Sequence, residues 1–388
     1  MIHHLTRATR LFIFWSLIAG AISLTAVRAF LVGVDGYKAE LQQKFHDLTA
    51  IHLQIGSLRA GTRGFNPEFI LRDIDILSVD EIGQPAVTLK EVRLGLDVLQ
   101  FLFSGDLLGS SWLTLVGAKV SMIRQQDGSF SIKGLNAGDT QQPLWLARGG
   151  KYEILQSEIS WLDKKRHGET VVFNNLDLLI KNDDGRHEIH LLSDLPGQYG
   201  DSLRVSANIE GSIADGEHIN GRLYLEGRDI RLVELLTGDL PYDIKVNEGR
   251  SSFRLWTDWR DSRPYRVTAD IDGTAINIER EGDKKLVLAQ VDGHLNWELS
   301  RQGWRFSAHD LKLNTGRQQW PVAEFFLAKA ADGDFSALIP RLDLEEADYL
   351  APFFCLPSRR PGCRKTLRWP GCCRILRSMC PPMGGNLR

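Results

Sequence analysis

Cysteine is missing from the first 354 residues of this 388-residue chain; all five cysteines lie at positions 355, 363, 372, 373 and 380. That body therefore has no disulfide framework, no thiolate metal site and no cysteine nucleophile. Acidic residues are missing from both ends. None precedes Asp35, where Arg7, Arg10 and Arg28 stand, and none follows Asp348, where residues 349–388 hold eight Lys and Arg. The stretch between carries all 49 acids of the chain and a net negative charge, which repels a phosphate backbone and argues against nucleic-acid binding. Catalytic signatures are lacking as well. There is no phosphate-binding loop, no G-x-G-x-x-G, no G-x-S-x-G and no H-E-x-x-H.

The remaining candidates for chemistry are weak. His187 and His190 are three residues apart on an expected strand, so they point to opposite faces and read as surface histidines. Asp183-Asp184 and Glu345-Glu346 are adjacent pairs at a turn or a helix, explained by solvation. No catalytic, cofactor-binding or metal residue is assigned, and no enzyme activity is expected.

What the sequence does contain is organised hydrophobicity. Leu11 to Val27 reads LFIFWSLIAGAISLTAV, without a charge. At about 1.5 Å per residue this is roughly 26 Å of helix, extended to a bilayer core by residues 29–34 if Arg28 reaches the interface. The basic residues before it and acids after it place the N-terminus in the cytoplasm. A cleaved signal peptide is the competing reading, with Val27 and Ala29 at peptidase positions, but the run exceeds the usual length of a signal core. Both readings export everything after residue 35. Next, Tyr37, Leu41, Phe45 and Leu48 draw one apolar stripe on a helix spanning 35–50, which is expected to cap a sheet or lie on the membrane surface.

From Ile51 the period becomes two. Ile51, Leu53 and Ile55 alternate with polar neighbours, as do Leu203, Val205, Ala207 and Ile209, and then Val267, Ala269 and Ile271. Val291, Leu295, Trp297 and Leu299 repeat the rule, followed by Trp304, Phe306 and Ala308. Such alternation marks antiparallel strands with one buried and one wet face. Asp-Gly pairs at 127–128, 184–185, 215–216, 272–273, 292–293 and 332–333 read as hairpin turns. Helical patterns are short: Leu94–Phe103, Ile230–Leu236 and Leu342–Leu350. A parallel α/β sheet is thereby excluded. The expected fold is mainly β, an elongated antiparallel sheet with few helices over residues 51–352. Its apolar face either closes as a sandwich or curls into an open groove filled by something apolar, with lipid the natural filler.

After Tyr349 the chain has six prolines, five cysteines and no periodicity. Residues 353–388 read as an aberrant, disordered tail from an out-of-frame translation, and the chain as a truncated copy.

Several motifs together resemble a known family. A basic N-terminus, one apolar span and an amphipathic helix lead into Ile55-Gly56-Ser57-Leu58 and Gly64-Phe65-Asn66-Pro67. PAVTLKEVRLGLDVLQFLFSGDL, GAKVSMIRQQDG, Gly221-Arg222-Leu223-Tyr224-Leu225 and LDLEEADYLAP follow. This order resembles the YhdP branch of the AsmA-like (TamB/AsmA-related) envelope proteins of Gram-negative bacteria, over roughly residues 5 to 352. Thr62 departs from the pattern, which has an aromatic there, and members of the family are much longer. The resemblance implies an inner-membrane anchor, a periplasmic β-groove and transport of phospholipid between inner and outer membrane, with no cofactor. On that reading Leu203, Val205, Ile209, Val267, Ile271, Leu295, Trp297, Leu299 and Phe306 face acyl chains in the groove. The alternative is an envelope assembly factor whose closed sandwich binds proteins, of which the sequence names none.

A topology reporter fused after Leu58 is expected to register a position outside the cytoplasm. Activity confined to the cytoplasm would contradict the reading of residues 11–27.

Overall fold

A computed structural model describes residues 34–49, 52–78, 84–134, 150–166, 168–183, 185–211, 218–235, 244–280, 284–320 and 323–338, with isolated positions between 14 and 22. The apolar run 11–27, Asp215-Gly216, the helical pattern 342–350 and the tail 353–388 lie essentially outside these residues. No helix among the described residues is long and apolar enough to cross a membrane.

The described chain is mainly β. It begins with a helical turn, Val34–Tyr37, and α1, Lys38–Thr49. The Gln42 amide donates to the Leu53 carbonyl at 2.8 Å, and Lys38 Nζ donates to the Gly56 carbonyl at 2.9 Å. These bonds satisfy backbone acceptors of the first strand, which is the device that blunts a sheet edge. The helix packs against the first strand through Lys38, Gln42 and His46, whereas Tyr37 and Leu41 of the expected apolar stripe are 57% and 40% exposed.

Contacts divide the chain into two units. The first contains β1 (Leu53–Arg63), β2 (Asn66–Leu77), β3 (Pro85–Leu96), α2 (Val98–Ser104), β4 (Ser111–Val116) and β5 (Lys119–Arg124). It continues through β6 (Phe130–Ile132), β7 (Lys151–Asp163), β8 (Val171–Asp183), β9 (Arg186–Asp194) and β10 (Ser202–Glu210). Antiparallel ladders join β1 to β2, β2 to β3, β7 to β8, β8 to β9 and β9 to β10. Between β3 and β7 lie β4 and β5, end to end, and both run parallel to β7. This parallel seam departs from the all-antiparallel expectation. β7 starts beside the start of β4, with Lys151 opposite Trp112.

β11 (Asn220–Arg231) and a short helix, α3 (Leu232–Leu235), follow. The second unit is built on β12 (Ile244–Arg260), β13 (Arg263–Arg280), β14 (Lys284–Ser300), β15 (Gly303–Asn314), β16 (Ala323–Ala330) and β17 (Phe335–Leu338). Strands β13 to β17 pair antiparallel in chain order. β13 runs for 18 residues, roughly 60 Å at the usual rise per residue.

Simple alternation does not run the whole length of these strands. In the first unit a line of special backbone positions crosses neighbouring strands: Asp73 (φ 52°), Gly117 (φ 64°), Gln156 (φ 49°) and Asn175 (φ 50°). Gly56 faces Asp73, and a Cβ there would sit 2.8 Å from the Asp73 Cβ. At this line the inward parity switches. Ile55 and Leu58 on β1, Leu71 and Ile74 on β2, and Leu89 on β3 all belong to one buried cluster, with Val92 packed against it. Each same-strand pair is three residues apart, which plain alternation would put on opposite faces. The odd amide at Gln156 is satisfied by Asp177 Oδ1 at 2.7 Å, as a buried or ladder-breaking donor requires.

The second unit repeats the device. Ala275 has φ 52° and Asp310 φ 51°, and the registers of β14 with β15 and β15 with β16 shift beside Asp310. A Cβ on Gly273 would meet Ile276 Cδ1 at 2.8 Å and Val291 Cγ1 at 2.9 Å, so Ile276 lies on the same face as position 273. Asp272-Gly273 and Asp292-Gly293 are thus mid-strand features and not hairpin turns. Asp127-Gly128, Gly185 and Asp332-Gly333 do turn hairpins, with φ of 92°, 77° and 98° at the glycines. Bulges and left-handed residues of this type bend a strand and increase its twist.

Ala275 is exposed and carries a left-handed strain of about 1–2 kcal/mol. Ala275→Gly is expected to raise stability, by up to about 1 kcal/mol after the entropic cost of glycine. Ala269→Gly in the same strand should lower it. Chemical denaturation of both variants checks the parity switch; loss of stability in both contradicts it.

Candidate functional site: a continuous apolar sheet face

The registers bring the alternating residues into rows. In the first unit one row runs Leu58, Leu71, Val92, Leu115, Ile154, Leu178, Leu191 and Val205. The next runs Ala60, Phe69, Leu94, Leu113, Tyr152, Ile180, Ile189 and Ala207. Neither row contains a charged residue across eight paired strand segments. Cross-strand apolar pairs of this kind are the unit of sheet stabilisation. Yet only Leu58, Leu71 and Ala207 among them are fully buried; the rest are half-buried or exposed. Burial pushes the Tyr152 phenol up from its ordinary pKa, as expected beside apolar neighbours.

The second unit has an equivalent face. Val267, Trp297, Phe306, Leu327 and Ala337 form one row, and Ala269, Leu295, Ala308 and Phe325 the next. Leu299 opposes Trp304, whose ring meets Phe335 edge-on at 6.3 Å. The other face of the same strands is charged. Arg266 pairs with Glu298 at 3.1 Å, His294 with Asp270 at 2.6 Å, and Lys312 with Asp292 at 3.0 Å. Hydrogen bonding to Glu298 comes first among the causes that raise the Arg266 pKa. Asp272 and Asp292 are direct cross-strand partners, and the Lys312 ammonium offsets their repulsion. Two faces of opposite character on one sheet are the arrangement of a wet exterior and an apolar interior.

The first unit's polar face is built likewise. Glu91 accepts from Arg72 at 2.8 Å and pairs with Arg93. Burial pushes the Glu91 carboxyl up, but the two guanidiniums more than reverse this and hold it below the ordinary range. Its contribution to stability is therefore present above the unfolded carboxyl pKa and is lost as pH falls through the lower folded value.

The nine sequence-derived candidates lie on the apolar sides of the two units, three in the first and six in the second. Val205 lies in the first unit's rows, with Leu203 and Ile209 two positions on either side of the Val205–Ala207 pair. Val267, Ile271, Leu295, Trp297, Leu299 and Phe306 lie on the apolar side in the second. None is fully buried, and Leu299 is 42% exposed. Two expectations need correction. His187 is not a surface histidine: it is 6% exposed and lies between Asn182 Oδ1 at 2.6 Å and the Gly211 carbonyl at 3.1 Å. His190 does face the other way, towards Ser206 and Glu188. The helical pattern Leu94–Phe103 begins too early, because Leu94 completes β3 and the Asp97 carboxylate caps the helix at the Gln100 amide. Beyond Ile55 the rows of β1 to β3 are not visible as alternation, since the parity switch at Gly56 and Asp73 interrupts it.

No cluster of three or more metal-ligating side chains occurs among the described residues.

A family model described as YhdP protein matches residues 1–365. The intermembrane phospholipid transporter YhdP of Escherichia coli (strain K12) is 24% identical over 331 residues, covering 82% of this chain. The chain spans about a quarter (24%) of that relative's length. No solved structure matches.

Glu298→Gln, on the wet face, is expected to change stability by no more than about 1 kcal/mol, as for exposed ion pairs. Phe306→Asp, on the apolar face, should cost about 2 kcal/mol or more. Urea unfolding of the two variants checks the assignment; equal costs contradict it.

Proposed function

We propose that this chain, which belongs to the YhdP family, carries phospholipid acyl chains along the apolar face of its sheets as an anchored protein of the cell envelope. The observation that carries the reading is the row Val267, Trp297, Phe306 and Leu327, apolar over four strands while the ion pairs sit on the reverse face. Half-buried aromatic and aliphatic side chains in rows are the lining of a site for apolar ligands. Leaving such rows in water costs about 25 cal/mol for each Å² of apolar surface. Acyl chains laid across them remove that cost without demanding any particular headgroup.

The bulges at Asp73, Gly117, Ala275 and Asp310 support a further element of the proposal, that the sheet curls into a groove around its apolar side. The uncharged run 11–27 supports inner-membrane anchoring, with the body of the chain in the periplasm. The name of the E. coli relative supports phospholipid as the cargo and transfer between membranes as the task. The proposal assigns no reaction, cofactor or metal to the chain.

Photo-crosslinking amino acids at Leu295 or Trp297, in cells or in lipid vesicles, are expected to capture phospholipid. The same group at Asn296 or Glu298 should not. Equal capture at both parities, or protein adducts alone at 295 and 297, overturns the proposal in favour of a closed, protein-binding sheet.

A further inference from the structure

The first unit has one end where large apolar side chains are turned outwards. α2 has the sequence VLQFLFS, and not one of its residues is buried. Leu99, Leu102 and Phe103 stand at helical spacings of three and four, on one face, and Phe103 is 89% exposed. An apolar helical stripe ordinarily faces a core; this one faces away. The helix is nevertheless well fixed. Asp97 caps its first turn, and Gly105, at φ 69°, closes the last by donating to the Phe101 carbonyl. The Val98 amide donates to Asn66 Oδ1 at 3.2 Å, tying α2 to the β1–β2 turn, where Phe65 is 83% exposed. No charged residue occurs from Val98 to Gly105.

The N-terminal end of α1 is directed towards this same end. Lys38 bonds to Gly56, Gln42 to Leu53, and the His46 ring lies 4.2 Å from that of His52. As α1 advances, its partners on β1 recede, so α1 runs antiparallel to β1. Its N-terminal end is therefore directed towards the Gly64–Phe65 turn. The residues that precede it in sequence contain the uncharged run 11–27. The apolar row nearest this end also reaches the surface there, through Phe69 and Leu94, both exposed.

We propose that this end of the first unit, formed by Phe65, Leu99, Leu102 and Phe103, inserts shallowly into the surface of a phospholipid bilayer. The proposal rests on the reading of residues 11–27 as a membrane anchor. It adds a second contact that holds the end of the sheet at the boundary of headgroups and acyl chains, where an amphipathic helix settles about 5–10 Å deep. The anchor alone retains the chain at the membrane; the second contact fixes which end of the sheet meets the bilayer surface. The geometry also gives an acyl chain a path from the bilayer past Phe69 and Leu94 onto the apolar rows without crossing open water.

The test uses the full chain in vesicles of phosphatidylethanolamine with a minority of phosphatidylglycerol. An environment-sensitive fluorescent amino acid replaces Phe103 in one protein and Gln126, exposed in the β5–β6 turn at the other end of the first unit, in another. Nitroxide-bearing lipids with the quencher just below the headgroup are expected to quench position 103 and leave position 126 unchanged. The double variant L102S/F103S, carrying the fluorophore at position 99, should lose the quenching while its circular dichroism is retained, because both side chains are already exposed. Absence of lipid quenching at position 103 overturns the proposal. So does a blue-shifted but unquenched fluorophore, since it reports cover by residues 11–27 or by a second copy of the chain. The two readings separate cleanly: capture at Trp297 with an unquenched 103 sinks the inserted end alone, and quenching at 103 without capture at Trp297 sinks the groove alone.

Discussion

A β-strand alternates its side chains between two faces, and that single constraint governs this protein. To keep one face apolar along strands as long as the 18 residues of β13, the alternation has to survive twist and bending. It survives because it is reset. At Asp73, Gln156, Asn175, Ala275 and Asp310 the backbone enters a left-handed conformation, and beyond it residues of the other parity face inwards. Each such residue costs about 1–2 kcal/mol unless it is glycine, or Asn or Asp with local hydrogen bonds. Most of the positions do carry Asp, Asn or Gly. What offsets the cost is the unbroken apolar surface: Ile55 with Leu58, and Leu71 with Ile74, join one core only because the parity has switched between them.

The reverse face follows from the same rule. Residues on the reverse side are polar or charged, and several of the charges pair within or across strands. Arg72, Glu91 and Arg93 do this in the first unit, and Arg266 with Glu298 and Lys312 with Asp292 in the second. Exposed pairs contribute little to stability. Their role is to make a register slip costly, since a shift by one residue would put every one of them against apolar neighbours.

This explains what could be read in advance. Segments free of a switch were legible: Leu203 to Ile209, Val267 to Ile271 and Leu295 to Leu299 alternate cleanly, and their apolar residues fall in shared rows. Segments crossed by a switch were not. β1, β2 and β3 each change parity near the middle, so their apolar residues look irregular in sequence although they line one face, and Gly117 separates β4 from β5. Asp-Gly is equally ambiguous. The pair suits a hairpin turn at 127–128 and a crowded mid-strand position at 272–273, where the glycine yields space to Ile276 and Val291. The parallel seam of β4 and β5 against β7 pairs strands distant in sequence, which local pattern does not encode. His187 was misplaced because its burial depends on Asn182 and the Gly211 carbonyl, partners from a neighbouring strand and a following loop.

The central claim, one apolar face carried through a reset of parity, is tested most directly on either side of Ala275. Photo-crosslinkers at Ile271 and Ile278, seven residues apart and of opposite parity, should both capture lipid acyl chains, while one at Asn277 should capture none. Capture at Ile271 and Asn277 with none at Ile278 would mean that simple alternation runs through the strand and that no reset of parity shapes the apolar face.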